Sequence, residues 1–209
     1  MLVFVALLSI FSVGLVVQAE DIRQCLCSEV MPCKDAYMNA ILPCIHSCKK
    51  NIDADFSKLK KCLDQETPKF QATAKCVEDA YKDACAEKAG SMAPKRLPEI
   101  TKKAAWEELT RMIAKSGIEQ DVKELMVTGE KLRDCVDDCM EDKAGHCDIK
   151  LGCGLNLPSD AMLIQQAKDC AMKNGFDNDG MRQLCRCVQD AGVKQLNGVC
   201  DRLNISESR

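Results

Sequence analysis

The sequence is poor in aromatic residues, has no excess of positive charge and, beyond its first seventeen residues, carries no long apolar run. One Trp, two Tyr and five Phe in 209 residues supply little of the large ring surface on which ordinary cores rely. Lys and Arg number 29 against 32 Asp and Glu, a net charge of −3, so no basic excess points to nucleic acid or to an anionic membrane. No stretch after Val17 approaches the roughly 18 apolar residues of a membrane span, and no stable membrane insertion is expected. Also missing are G-x-S-x-G, H-E-x-x-H, a P-loop and G-x-G-x-x-G, the patterns that build a nucleophile elbow, a zinc-protease helix and phosphate cradles. The chain therefore reads as non-enzymatic. Alternating Val-, Ile- and Thr-rich runs are lacking after residue 19, which disfavours a sheet protein.

What is abundant is cysteine, sixteen residues in all. Residues Met1 to Val17 read MLVFVALLSIFSVGLVV, an uncharged apolar run, and Val17-Gln18-Ala19 offers small residues where signal peptidase inspects the chain. This pattern predicts a signal peptide over residues 1–19, cleavage after Ala19 and a secreted, extracellular product. The cysteines all lie beyond it: Cys25, Cys27, Cys33, Cys44, Cys48, Cys62, Cys76 and Cys85, then Cys135, Cys139, Cys147, Cys153, Cys170, Cys185, Cys187 and Cys200. An even number in a chain addressed to an oxidising lumen implies up to eight disulfides and no obligate free thiol. Zinc is the rival reading for Cys27, Cys33, Cys44, His46 and Cys48. Secretion opposes it, and no paired C-x2-C motif stands at finger or ribbon spacing. No metal or other cofactor is expected.

Eight cysteines lie from Cys25 to Cys85 and eight from Cys135 to Cys200, with none in the 49 residues between. This division predicts two separately closed modules. The first covers residues 20–90 and the second 131–203, joined by a Cys-free helical connector over 91–130 and followed by a polar tail, 204–209. The breakers in Gly90-Ser91-Met92-Ala93-Pro94-Lys95-Arg96-Leu97-Pro98 suit a linker or helix boundary. The halves do not read as a clean tandem repeat, because C-x-C opens the first and comes late in the second, whereas C-x3-C sits midway in the first and opens the second.

Periodicity predicts an all-α fold, a disulfide-rich helical bundle. Cys33, Tyr37, Ala40, Ile41, Cys44 and Cys48 share one helical face, with Pro43 inside it as a kink or split. Phe70, Ala74, Val77, Ala80, Tyr81, Ala84 and Cys85 form a second stripe, with Thr67 as its cap and Pro68 as its first residue. Ile118 to Cys139 makes a third, interrupted by Gly129, and Ser159 caps a fourth. Two stripes, Met181 to Val188 and Val193 to Leu203, close the chain.

On a helix, C-x3-C sends both sulfurs from one face, suited to stapling that helix to a neighbour rather than to bridging each other. In C-x-C the side chains diverge, so Cys25 and Cys27 should bond different partners, as should Cys185 and Cys187. The two histidines, His46 and His146, each stand next to or near a cysteine, but Cys–His catalysis needs a free thiolate. Asp177-Asn178-Asp179-Gly180 resembles the start of a calcium loop. In register, though, its first and twelfth ligands would be Gly175 and Arg186, so a turn is the better reading. Lys58, Lys60 and Lys61 form a small basic cluster that reads first as a solvated helix face. Asn204-Ile205-Ser206 is an N-glycosylation sequon. Ser116-Gly117, the one Ser-Gly in the chain, reads first as an interhelical turn, with Ser116 the sole candidate for glycosaminoglycan attachment.

CLCSEVMPC (Cys25 to Cys33) followed by CIHSC (Cys44 to Cys48) and spaced single cysteines in helical sequence resembles nematode-type secreted cysteine-rich proteins, nearest to the chondroitin proteoglycan 4 domain family. The resemblance covers Cys25 to Cys85, with the second half as a diverged relative. It implies an extracellular matrix or proteoglycan-core role and an extracellular protein or glycan partner. The alternative expectation is a carrier of small apolar molecules, since disulfide-braced helices can enclose a cavity lined by the chain's ten Met with Leu and Ile.

Overall fold

The computed structural model describes residues 20–51 and 54–205; the signal peptide expected over residues 1–19 lies outside them. Seven α-helices run through the described residues: α1 (Cys27–Ser47), α2 (Phe56–Ala80), α3 (Pro98–Lys115), α4 (Lys123–Ala144), α5 (Cys147–Leu151), α6 (Asp160–Lys173) and α7 (Asn178–Asp190). Short 3-10 turns follow α1 at Lys49–Asn51 and α7 at Lys194–Leu196 and Cys200–Arg202. The fold is all-α and disulfide-rich. Among the described residues the one sheet is a pair of three-residue strands, β1 (Asp21–Arg23) and β2 (Met92–Pro94), antiparallel with Ile22 opposite Ala93. The stretch read as a linker therefore contributes a strand to the segment that precedes α1.

Two helices are longer and more continuous than the sequence suggested. Helix α1 passes through Pro32 and Pro43 without splitting, and α2 passes through Pro68. Proline removes the amide that would reach the carbonyl four residues back. Here those carbonyls belong to Ser28, Asn39 and Asp64, residues that are solvent-exposed, as are the three prolines, so water can serve the orphaned acceptors. The bridges of Cys33 and Cys44 flank Pro43, and those of Cys62 and Cys76 flank Pro68, so each of these two interruptions is held between fixed points. Thr67 is consequently not a cap: its hydroxyl donates back to the Leu63 carbonyl within the helix. The cap of α2 is Asp55, whose carboxylate accepts from the Ser57 and Lys58 amides. Ala84 and Cys85, expected to continue the stripe, lie past the end of α2 in a turn. Gly129 does not interrupt α4 either.

The cap expected at Ser159 is present, its hydroxyl accepting from the Met162 amide. The Asp177–Gly180 segment is the turn into α7, where Asp177 accepts from the Gly180 amide at 2.9 Å.

The eight bridges do not follow the two-module division. Cys27–Cys85 and Cys185–Cys200 close within one half, but the other six run between halves: Cys25–Cys153, Cys33–Cys147, Cys44–Cys139, Cys48–Cys135, Cys62–Cys187 and Cys76–Cys170. The halves are therefore not separately closed, and α4 runs across the boundary drawn at residue 130. The order is nested. Going forward along α1 through Cys33, Cys44 and Cys48, the partners run backward through Cys147, Cys139 and Cys135, so α1 lies antiparallel to α4. Going forward along α2, Cys62 and Cys76 meet Cys187 and Cys170, placing α2 against α7 and α6. The two C-x3-C motifs are thus the two sides of one ladder rather than copies of one module.

Sulfur replaces aromatic bulk in the interior. Among the described residues Cys25, Cys33, Cys44, Cys48, Cys62, Cys170, Cys185 and Cys200 are buried. The main aliphatic cluster is small and sits at one end, where Ile118 and Val122 meet Val193, Leu196 and Val199 around Cys185 and Cys200. Those residues come from the Cys-free connector and the chain's last turns, which joins the connector to the second cysteine group by burial of apolar surface.

Candidate functional site

The cysteines hold no reactive thiol: all sixteen are in bridges. Both C-x-C pairs diverge as their side-chain directions require, Cys25 to Cys153 and Cys27 to Cys85, Cys185 to Cys200 and Cys187 to Cys62. His46 stacks edge-on against Phe56 with ring centroids 5.5 Å apart. His146 takes a left-handed backbone (φ 51°) in the break between α4 and α5, with its ring nitrogen 3.5 Å from Asp142. Neither histidine has a thiolate to activate. Among the described residues no group of three His, Cys, Asp or Glu is placed to hold a metal ion.

The two glycan-acceptor candidates, 88 residues apart in sequence, meet in space. Ser116 is the C-cap of α3; its hydroxyl donates toward the Met112 carbonyl at 2.9 Å and the Asn204 carbonyl at 3.1 Å, and accepts from the Asn204 amide at 2.9 Å. Asn204 is exposed, and its side-chain oxygen accepts from Asn178 at 3.2 Å. The next amide, of Ile205, donates to the Asn178 side chain at 2.7 Å. The tail begins as a clasp against α3 and the start of α7, so the Ser116 hydroxyl is engaged three ways. Ser206, the third residue of the sequon, lies outside the described residues.

Polar joints that the sequence did not signal hold α3 in place. Arg96 donates to the Pro158 carbonyl and to Asp160, and Thr101 donates to the same Asp160 carboxylate at 2.6 Å. The Thr101 hydrogen bond, opposed by burial and reinforced by the Arg96 guanidinium, holds the Asp160 carboxyl below its ordinary value. Lys102 lies 3.0 Å from Glu141, 3.3 Å from Glu99 and 3.5 Å from Asp137. Burial works against its charge, but the hydrogen bond to Glu141 and the neighbouring carboxylates outweigh it and raise its pKa above that of a free lysine. Lys168 on α6 reaches Glu108 on α3 at 3.0 Å with both side chains mostly buried. The edge of the Trp106 ring lies beside Gly129, 3.9 Å from where a Cβ would stand, and Arg133 covers the ring at 4.5 Å. Apart from Lys102–Glu99 within α3, these contacts join residues 23 to 64 positions apart, beyond the reach of any local pattern.

Two clefts among the described residues are open to solvent. One of about 470 Å³ is lined by Asp55, Lys58, Asp190, Gly192, Lys194 and Gln195 with Ala54 and Ala191. The other, about 220 Å³, lies between α3 and α4 beside Trp106, Ile113, Met126 and Val127. On the solvent side of α1, opposite the face carrying Cys33, Ala40 and Cys44, Met31, Met38 and Leu42 form an apolar stripe 45–57% exposed at offsets of seven and four residues. Among the described residues no helix is long and apolar enough to cross a membrane.

The fold defines a class: an all-α protein whose helices are cross-linked by eight disulfides. No family model, curated protein or solved structure matches the chain.

Proposed function

We propose that this is a secreted, non-enzymatic protein that works by binding, as an extracellular matrix or proteoglycan-like component with a protein or glycan partner. The observation that carries this reading is the complete closure of the cysteines into bridges, six of them tying the two halves together. Such a set of bonds persists in an oxidising extracellular environment and yields a stiff frame rather than a reactive centre. The α1 stripe of Met31, Met38 and Leu42 gives the frame an exposed apolar face, the kind of feature that contacts a partner. The likeness of the Cys25–Cys85 segment to chondroitin proteoglycan 4 domain proteins points the same way, with Asn204 as the glycan acceptor. The Ser116 hydroxyl, tied to the tail, is accessible for glycosaminoglycan transfer once residues 204–205 swing away.

The test is expression of the full chain in secretory cells. The mature product should appear in the medium beginning at Glu20, with an intact mass 16 Da below that of its reduced form, since each of eight bridges removes two hydrogens. Used as bait in an extracellular matrix extract, it should retain a macromolecular partner, and Met38→Lys/Leu42→Lys should weaken that retention. Absence of secretion, or no macromolecule retained, would overturn the proposal. A small apolar carrier has less support, because both clefts are open and the larger is lined chiefly by charged and polar groups.

A further inference from the structure

The eight bridges differ in how far solvent reaches them. In seven, at least one half-cystine is buried: Cys25 at 3%, Cys33 at 9%, Cys44 at 0%, Cys48 at 1%, Cys62 at 3%, Cys170 at 1%, and both Cys185 and Cys200 in the last. In Cys27–Cys85 neither residue is buried. Thiol–disulfide exchange proceeds in line through the attacked sulfur, so access to the bond limits it.

The two sulfurs of this bridge are also inequivalent. Cys27 is the first residue of the 21-residue α1, where the helix dipole favours a negative charge and lowers a thiol's pKa. Glu29, in the same first turn, has its carboxylate 2.8 Å from Arg23 and bonded to the Leu26 amide, so its charge is balanced locally. Cys85 belongs to no helix: it lies past the end of α2 in a bend that runs beside the start of α1. The better leaving group is the thiol with the lower pKa, here Cys27.

We propose that Cys27–Cys85 is a thiol-exchange site: a low-molecular-weight thiol opens it in the native protein while the other seven bridges stay closed. The attacking thiolate bonds to Sγ of Cys85, the protein S–S bond breaks, and its electron pair leaves on Sγ of Cys27. Cys85 then carries the mixed disulfide. A second thiolate attacks the small-molecule sulfur of that mixed disulfide, giving a symmetric small disulfide and the Cys85 thiolate. Two small thiols are oxidised and one protein bridge is reduced. The opened state stays folded because the bridge is confined to the first half, and the six cross-half bridges are untouched. Backbone bonds from Ala86 to the Cys25 carbonyl at 2.8 Å and from Cys27 to the Ala86 carbonyl at 3.0 Å keep the two segments side by side, so the bridge can re-form.

The experiment treats the full secreted protein with limiting reduced glutathione under native conditions, quenches with acid, alkylates and maps peptides by mass spectrometry. The first modified species should carry glutathione on Cys85 and the alkyl group on Cys27, with the remaining seven pairs intact. A different pair opening first, several pairs opening together, or glutathione found on Cys27 would each overturn the proposal. In Cys27→Ser/Cys85→Ser, glutathione uptake at the same concentration should fall about tenfold or more; unchanged uptake would overturn it. Should that variant not be secreted, the wild-type map decides alone.

Discussion

Removing one rung of the α1–α4 ladder tests whether the nested pairing sets stability. Cys44 and Cys139 are 95 residues apart in sequence, and closing a free loop of that length would be worth about 4.7 kcal/mol in the chain-entropy account. In this molecule Cys48–Cys135 already holds the neighbouring turn. The ring that Cys44–Cys139 closes contains four residues of α1 and four of α4, and a ring of that size is worth only about 2.5 kcal/mol. Cys185–Cys200 spans 15 residues with no bridge nested inside, which corresponds to about 3 kcal/mol. Cys44→Ala/Cys139→Ala should therefore destabilise no more than Cys185→Ala/Cys200→Ala, although its sequence separation is more than six times larger. Each double variant removes two sulfurs, and Cys185 and Cys200 are both buried whereas in the other pair only Cys44 is, so packing loss weighs at least as much on the Cys185/Cys200 variant. The assay is guanidinium chloride unfolding followed by far-UV circular dichroism with the remaining bridges intact. A loss for the Cys44/Cys139 variant exceeding that of the Cys185/Cys200 variant by about 1.7 kcal/mol, the margin implied by full separations, would refute the ladder.

Other substitutions probe single contacts. A Cβ on Gly180 would lie 1.8 Å from the Gly175 carbonyl oxygen, so Gly180→Ala should force the α6–α7 turn apart and cost about 1–3 kcal/mol or more, read from the unfolding midpoint. At Gly129 a Cβ meets only the Trp106 ring edge at 3.9 Å, an ordinary contact in a helix interior, so Gly129→Ala should add about 0.5–1 kcal/mol; loss of stability there would mean that α3 and α4 are closer than described. The Asp160 carboxyl, held below its ordinary value chiefly by Thr101 and then by Arg96, stabilises the fold above the unfolded-state pKa, about 4. That contribution is lost as the pH falls through the lower folded value. Asp160→Asn should remove it, flattening the acid limb of a stability–pH curve below about pH 4; an unchanged limb would locate the acid sensitivity elsewhere.

Much of the local structure was legible in the residues. The helical stripes, the cap at Ser159, the turn at Asp177–Gly180, the closure of the cysteines into bridges and the divergence of both C-x-C pairs follow from side-chain directions over one or two turns. The errors fall where a local rule met a long-range constraint. Pro43 and Pro68 should break helices, yet the residues whose carbonyls they orphan are exposed and the bridges on either side fix the axis. Arg96–Asp160 and Trp106–Arg133 had no signal at all, because an arginine alone does not tell which carboxylate or ring will face it.

The sequence by itself determined that the chain is helical and sulfur-linked, because the period of apolar and cysteine positions is a property of each segment alone. Which sulfur meets which was decided by the tertiary structure. Dividing the cysteines by the gap between Cys85 and Cys135 suggested two closed units, but α1 and α2 bury their cysteine faces against α4, α6 and α7, more than eighty residues away. A helix face fixes the direction in which a sulfur points; only the packing of another helix onto that face supplies the sulfur it can reach within bonding distance.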